Sequence, residues 1–150
     1  NTGAGKADRI NRILFSGLGL VTVIGLIMGV GVNLLGEPLL GIYSADSAVI
    51  AAGRTRLLWI SAPYFLCGVM EVVMGIMRGL GYALTPMVVS LSGACLFRIL
   101  WLATIFAWMP TQNILLLSYP VSWILTTLIH ALTYLYARKH HPLFQKQALI

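Results

Sequence analysis

The sequence predicts an all-α membrane protein of four transmembrane helices. Three observations predict it. Of 150 residues, 59% are hydrophobic and 9% are charged, against roughly 45–50% and 25% in soluble domains. Four apolar runs are each long enough to cross a hydrocarbon core of ~30 Å as helix. The links between three of those runs are short and rich in Gly and Pro. A chain in lipid must satisfy its own backbone hydrogen bonds, which a helix does within one segment. This composition excludes a disordered chain, a disulfide scaffold and an ordinary soluble globule.

The chain opens on Asn1-Thr2-Gly3 with no initiator Met, which reads as a piece of a longer protein or a processed one. Lys6, Arg9 and Arg12 then precede the first run, Leu14–Leu35, which holds no charge over 22 residues. A secretory signal has a core of about 7–15 residues and a cleavage site, so this run is a span. Gly25 and Gly29 form a GxxxG among Gly17, Gly19 and Gly31. That pattern allows close approach of another helix; it equally suits a helix that bends or slides during a transport cycle.

A longer loop, residues 36–56, follows. Asp46 is a candidate N-cap, so the second helix can begin near Ser47 as an interfacial amphipathic segment, with a kink at Pro63. The second run, Leu57–Met77, is interrupted only by Glu71. Arg78, Gly79, Gly81 and Pro86 mark a tight turn. The third run, Leu84–Trp108, is interrupted only by Arg98, and Pro110 and Asn113 mark the next turn. The fourth run, Ile114–Tyr136, contains Pro120, which should kink it. Apart from tyrosines, His130 is its one titratable group. Residues 137–150 form a tail.

The formal charge is +6 and the pI about 9.8. In a soluble chain that would suggest nucleic acid. Here the cations distribute by side of the membrane, and no nucleic-acid partner is expected. Four spans put both termini on one side, with Lys6, Arg9, Arg12, Arg78, Arg138, Lys139 and Lys146; the other side has Arg54 and Arg56. Seven against two places the termini in the cytoplasm. Trp59, Trp108 and Tyr136 fall near span ends, where amphipathic rings settle.

The candidate site residues are the ionisable groups inside spans, which are rare and costly there. Glu71 lies ~12 Å from the inner end of its helix at 1.5 Å per residue. Tyr64, Cys67, Glu71, Met74 and Arg78 follow 3- and 4-residue spacing and share one face. That face is expected to look into protein or water. Glu71 either carries a proton or binds a cation, or it pairs with Arg78 and only orients the helix. Arg98 lies ~20 Å along the third span, about 8 Å from Glu71 in depth. Trp101, one turn on, offers it an aromatic face; snorkelling to the outer side is the plainer account. His130 has the depth of Glu71. The two can exchange a proton if the second and fourth helices are neighbours; a histidine simply hydrogen-bonded within the bundle is the simpler reading.

Other patterns carry less. Cys67 and Cys95 sit in apolar runs without ligand spacing and read as small hydrophobes. Gly3-Ala4-Gly5-Lys6 lacks the Ser or Thr and the preceding strand of a phosphate-binding loop. No Ser/His/Asp set, metal cluster or nucleotide loop is present, so no enzyme activity, metal or cofactor is expected.

Several of these segments together resemble a known family. Gly3-Ala4-Gly5-Lys6 with Arg9 stands just before a span. Leu39-Leu40-Gly41-Ile42-Tyr43-Ser44, with Asp46 and then Ala48-Val49-Ile50, occupies the outer loop. Met77-Arg78-Gly79-Leu80-Gly81 with Pro86 forms the inner turn, and Arg98 with Trp101 follows in the next span. The pattern resembles multidrug and toxic compound extrusion (MATE) transporters, specifically the last four of their twelve helices, and covers nearly the whole chain. The resemblance implies part of the C-terminal lobe of a twelve-helix antiporter in the plasma membrane. Such a protein exports cationic or amphipathic organic compounds against H⁺ or Na⁺ by rocking two lobes about a central site. Its partners would be the N-terminal helices of the same transporter, the lipid bilayer and small organic cations. Some relatives carry an acidic residue in the tenth helix. Glu71 lies in the corresponding helix, with Cys67 one turn earlier as the competing position. A lipid-linked precursor flippase of the same superfamily and a non-transporting four-helix module are the alternatives.

Overall fold

The computed structural model describes residues 1–147; residues 148–150 of the predicted tail and the side chains of Lys146 and Gln147 lie outside the described residues. Helix makes up 86% of the chain, and no strand occurs among the described residues. Four helices are long and apolar enough to cross a membrane: Ala7–Leu34, Ser47–Gly79, Leu84–Phe106 and Gln112–His140. All but the third extend past the apolar runs at one or both ends, because polar turns continue a helix beyond the lipid-compatible stretch.

Helix α1 (Ala7–Leu34) begins seven residues before the uncharged run. Asp8 in its first turn complements the positive end of the helix dipole. The segment expected as loop contains a short helix, α2 (Gly36–Gly41), with Glu37 in its first turn. Helix α3 (Ser47–Ser61) starts at the predicted cap, where Asp46 Oδ1 accepts from the Ala48 N–H at 2.8 Å. Pro63 removes one backbone donor. The chain answers with a single 3₁₀ turn, Ala62–Tyr64, before α4 (Phe65–Gly79). The second span thus runs 33 residues, roughly 50 Å at 1.5 Å per residue. That exceeds the hydrocarbon core, so the first turns of α3 stand outside it.

The turn after α4 is built around Gly81, whose φ is +95°. Tyr82 N–H donates to Met77 O at 2.9 Å and Gly81 N–H to Arg78 O at 3.0 Å. These two bonds make a Schellman motif with Gly81 in the left-handed position. Gly79 is the last helical residue and needs no special conformation. The third span is α5 (Leu84–Leu91), a π turn at Ser92–Leu96, α6 (Phe97–Trp101) and a second π turn at Leu102–Phe106. Pro86 is fully buried in the first turns of α5. Thr111 caps α7 (Gln112–His140), which stays helical through Pro120 and continues four residues past the predicted end at Tyr136. A short α8 (Pro142–Gln147) follows.

Across the bundle the spans stand in the order first, second, fourth, third. Helix α4 packs most extensively on α1 and next on α7, and the third span lies against α7. The GxxxG of α1 meets the second span where Pro63 has tightened it. A Cβ on Gly25 would stand 2.7 Å from Phe65 Cβ, and one on Gly29 would stand 2.6 Å from Ser61 O. Asn33 seals the seam, donating to Gly29 O at 2.8 Å and to Ser61 Oγ at 2.7 Å. A buried apolar cluster lies at the end where α1 begins and α4 and α7 finish. Ile10, Leu14, Val73, Met77, Leu80, Tyr134 and Ala137 are buried together there, with Leu143 and Phe144 of α8 against them. The start of α1 and the short α8 are therefore at this one end, called the terminal face below.

Candidate functional site

The most enclosed helix is the fourth. A third of its apolar stretch is buried, against about a tenth or less of the others. Ser118, Ser122, Thr126, His130 and Tyr134 recur every fourth residue along α7, and all five are buried. Fourfold spacing sets side chains on one helical face, so α7 carries a polar stripe toward its neighbours. The hydroxyls of Ser118, Ser122 and Thr126 donate back to Leu115 O, Tyr119 O and Ser122 O at 2.6, 2.8 and 2.6 Å. That satisfies them without water. Gly93, in the first π turn, lies so close to Thr126 that a Cβ there would collide with its side chain.

Arg98 turns onto this stripe. Its Nε donates to Ser122 Oγ at 3.1 Å, and its guanidinium carbon stands 4.2 Å from the Tyr119 ring centre and 5.7 Å from that of Trp123. The expected stacking on Trp101 is corrected. Trp101 donates its indole N–H to Ile114 O at 3.0 Å and packs on Phe97 instead. The reason is register: α7 presents two rings and a hydroxyl to Arg98, while Trp101 is drawn to the start of α7. Arg54 and Glu37 form an ion pair at 2.8 Å, and among the described residues Glu71 forms none. Glu71 thus pairs with neither Arg98 nor Arg78, and Arg78 donates to Met74 Sδ at 3.4 Å.

His130 is completely buried. Its Nε2 stands 3.0 Å from Ser90 Oγ on α5. Ser90 in turn reaches Met74 Sδ on α4 at 3.3 Å. So α4 and α7 are neighbours, as a Glu71–His130 link requires, but the histidine's hydrogen bond goes to Ser90. Glu71 lies at the rim. It is exposed, beside an open groove of about 410 Å³ between α1 and α4 that Ile13, Gly17 and Gly75 also line. Of the face predicted to carry it, Met74 is buried, Cys67 is half-buried, and Tyr64 and Arg78 are exposed. The ring of Tyr64 meets Trp123 edge-on at 5.9 Å. The four spans alone do not enclose that face.

The structure therefore brings Arg98 and His130 to one stripe about two helical turns apart, and leaves Glu71 and Cys67 on the adjoining face of α4. Ser90, Tyr119, Ser122, Thr126 and Tyr134 belong to the site and were not among the candidates. For Ser122, Thr126 and Tyr134 the signal was the fourfold polar recurrence inside the last apolar run; Ser90 and Tyr119 lie off that recurrence and had none.

Four long apolar helices around a buried polar stripe define a multi-pass membrane protein. A family model described as MatE matches residues 1–104, the first two spans and nearly all of the third. The chain belongs to this family, the MATE-type transporters, whose members move solutes across membranes and are not enzymes. No curated protein and no solved structure matches the chain. The fourth span, with the polar stripe, lies beyond the matched residues.

Proposed function

We propose that this chain forms the last four helices of a twelve-helix secondary antiporter, in the C-terminal lobe, with both termini cytoplasmic. It would export small cationic or amphipathic organic compounds against H⁺ or Na⁺ across the plasma membrane. The observation that carries this reading is Glu71. It is a carboxylate inside the apolar part of a span, without a hydrogen bond or ion pair among the described residues, on a face the four helices leave open. An acid at that depth is too costly to leave against lipid. The remaining helices of the transporter would enclose it in the central cavity, where it can attract organic cations and hold the coupling ion. Arg98 favours the second reading, a flippase of lipid-linked anionic precursors, because its charge rests on aromatic faces with no acid partner.

The test is reconstitution of the transporter containing this chain into liposomes. An inward H⁺ or Na⁺ gradient should drive efflux of a fluorescent organic cation. Gradient-independent movement of a lipid-linked phosphate, with no cation efflux, would establish the flippase instead.

A further inference from the structure

Among the described residues, four buried side-chain atoms have no hydrogen-bond partner: Asn11 Oδ1, Thr127 Oγ1, His130 Nδ1 and Tyr134 OH. Buried polar groups are normally paired with protein or ordered water, so four orphans in one region mark a hydrated place. Three stand on α7, where Thr127, His130 and Tyr134 share a face at spacings of three and four residues, ~10 Å from first to last. Tyr134 packs with Ile10 and Leu14 of α1, flanking Asn11 in sequence. Asn11 also lines an open groove at the terminal face with Asp8 and Arg138. The orphans thus extend from that open groove toward the middle of the bundle.

The geometry at His130 suits proton exchange. With the hydrogen on Nε2, that nitrogen donates to Ser90 Oγ, and the Ser90 hydroxyl turns to Met74 Sδ. With the hydrogen on Nδ1, Ser90 donates to Nε2 instead. One rotating hydroxyl accommodates both tautomers, and in each of them Nδ1 still lacks a partner. The titratable groups on the elements packed against α7 are Arg54 and Arg56 on α3, Cys67, Glu71 and Arg78 on α4, and Cys95 and Arg98 on the third span.

We propose that the space between α1 and α7, beside α4, holds a file of bound water from the groove at the terminal face to His130, and that His130 takes up and returns the proton this file delivers. Uptake adds one proton to the bare Nδ1 while the Nε2–H donates to Ser90 Oγ, giving an imidazolium beside the Glu71 face. Release returns the same proton to the file, and nothing else is consumed. This rests on the antiporter reading and specifies it: the coupling ion is H⁺, and it enters between the first and fourth of these spans.

Two measurements test it, both on the transporter containing this chain in lipid nanodiscs or liposomes. X-ray radiolysis of bound water oxidises side chains next to that water. Although buried, His130 and Tyr134 should be modified at rates within about threefold of exposed Tyr43, while equally buried Leu116 is spared. Protection of His130 and Tyr134 to the level of Leu116 overturns the water file, whether or not the protein transports. The second measurement is H⁺-driven efflux. His130→Gln keeps a partner for Ser90 but cannot titrate, and should lower that efflux at least tenfold and flatten its dependence on pH. Tyr134→Phe should slow it less. Full H⁺-driven efflux by His130→Gln, or a wild type driven by Na⁺ alone, overturns the relay. A wild type driven by no gradient overturns the antiporter reading, and the radiolysis result then still decides the water file.

Discussion

Gly81 is the residue whose role follows most directly from backbone geometry. Its φ of +95° closes the Schellman turn, and a Cβ there would meet nothing within 4 Å. The cost of a side chain is therefore conformational only. Gly81→Ala should cost about 1–2 kcal/mol and lower the melting temperature in detergent. Gly79→Ala, at a helical residue with open space around it, should be neutral or slightly stabilising. Equal losses from both would mean the turn is not built this way. Arg98 calls for a different comparison. Arg98→Lys keeps the charge but loses the planar stack on Tyr119 and the Nε bond to Ser122, so it should lower the melting temperature nearly as much as Arg98→Gln. A silent lysine variant would show that charge alone matters there. Gly81 was legible in the sequence because a glycine between a helix end and a proline-led helix has few uses. The partner of Arg98 was not legible. Choosing Tyr119 over Trp101 depends on how the third span is set against the fourth, which no local pattern states.

At the scale of elements, the first helix shows which of its glycines are structural. Gly25 and Gly29 face Phe65 and Ser61 at distances no side chain fits, whereas Gly19 and Gly31 face open space. Gly29→Ala should cost about 1–3 kcal/mol through overpacking, and Gly31→Ala should cost nothing measurable. Thermal unfolding of both in one detergent decides the matter; equal stability of the two variants would contradict the packed seam. The existence of the four spans was readable because bilayer thickness dictates run length. Their ends were legible only in part: Asp46 announced the start of α3, but α1 and α7 begin at Ala7 and Gln112, outside the apolar runs. The two π turns around α6 were also invisible. One of them places Gly93 against Thr126, a contact between distant segments. The polar stripe of α7, by contrast, was present in the sequence as Ser118, Ser122, Thr126, His130 and Tyr134, and periodicity alone would have found it.

For the whole molecule, the arrangement first–second–fourth–third puts the start of α1, the short α8 and the Gly81 turn at one face. With that face cytoplasmic, a single cysteine at exposed Ala45 should react with an impermeant maleimide from outside intact cells, and one at exposed His140 only after permeabilisation. Labelling of both from the same side would contradict the topology. The account's central claim is that Glu71, open on the flank of these four helices, couples ion movement to export in the assembled transporter. The most direct test is gradient-driven efflux of a fluorescent organic cation by Glu71→Gln, which keeps the side chain's size and removes its charge. The account predicts normal insertion, retained substrate binding and loss of most ion-driven efflux. Full efflux by Glu71→Gln, with Glu71→Ala merely less stable to heat, would make Glu71 a packing residue and contradict the claim.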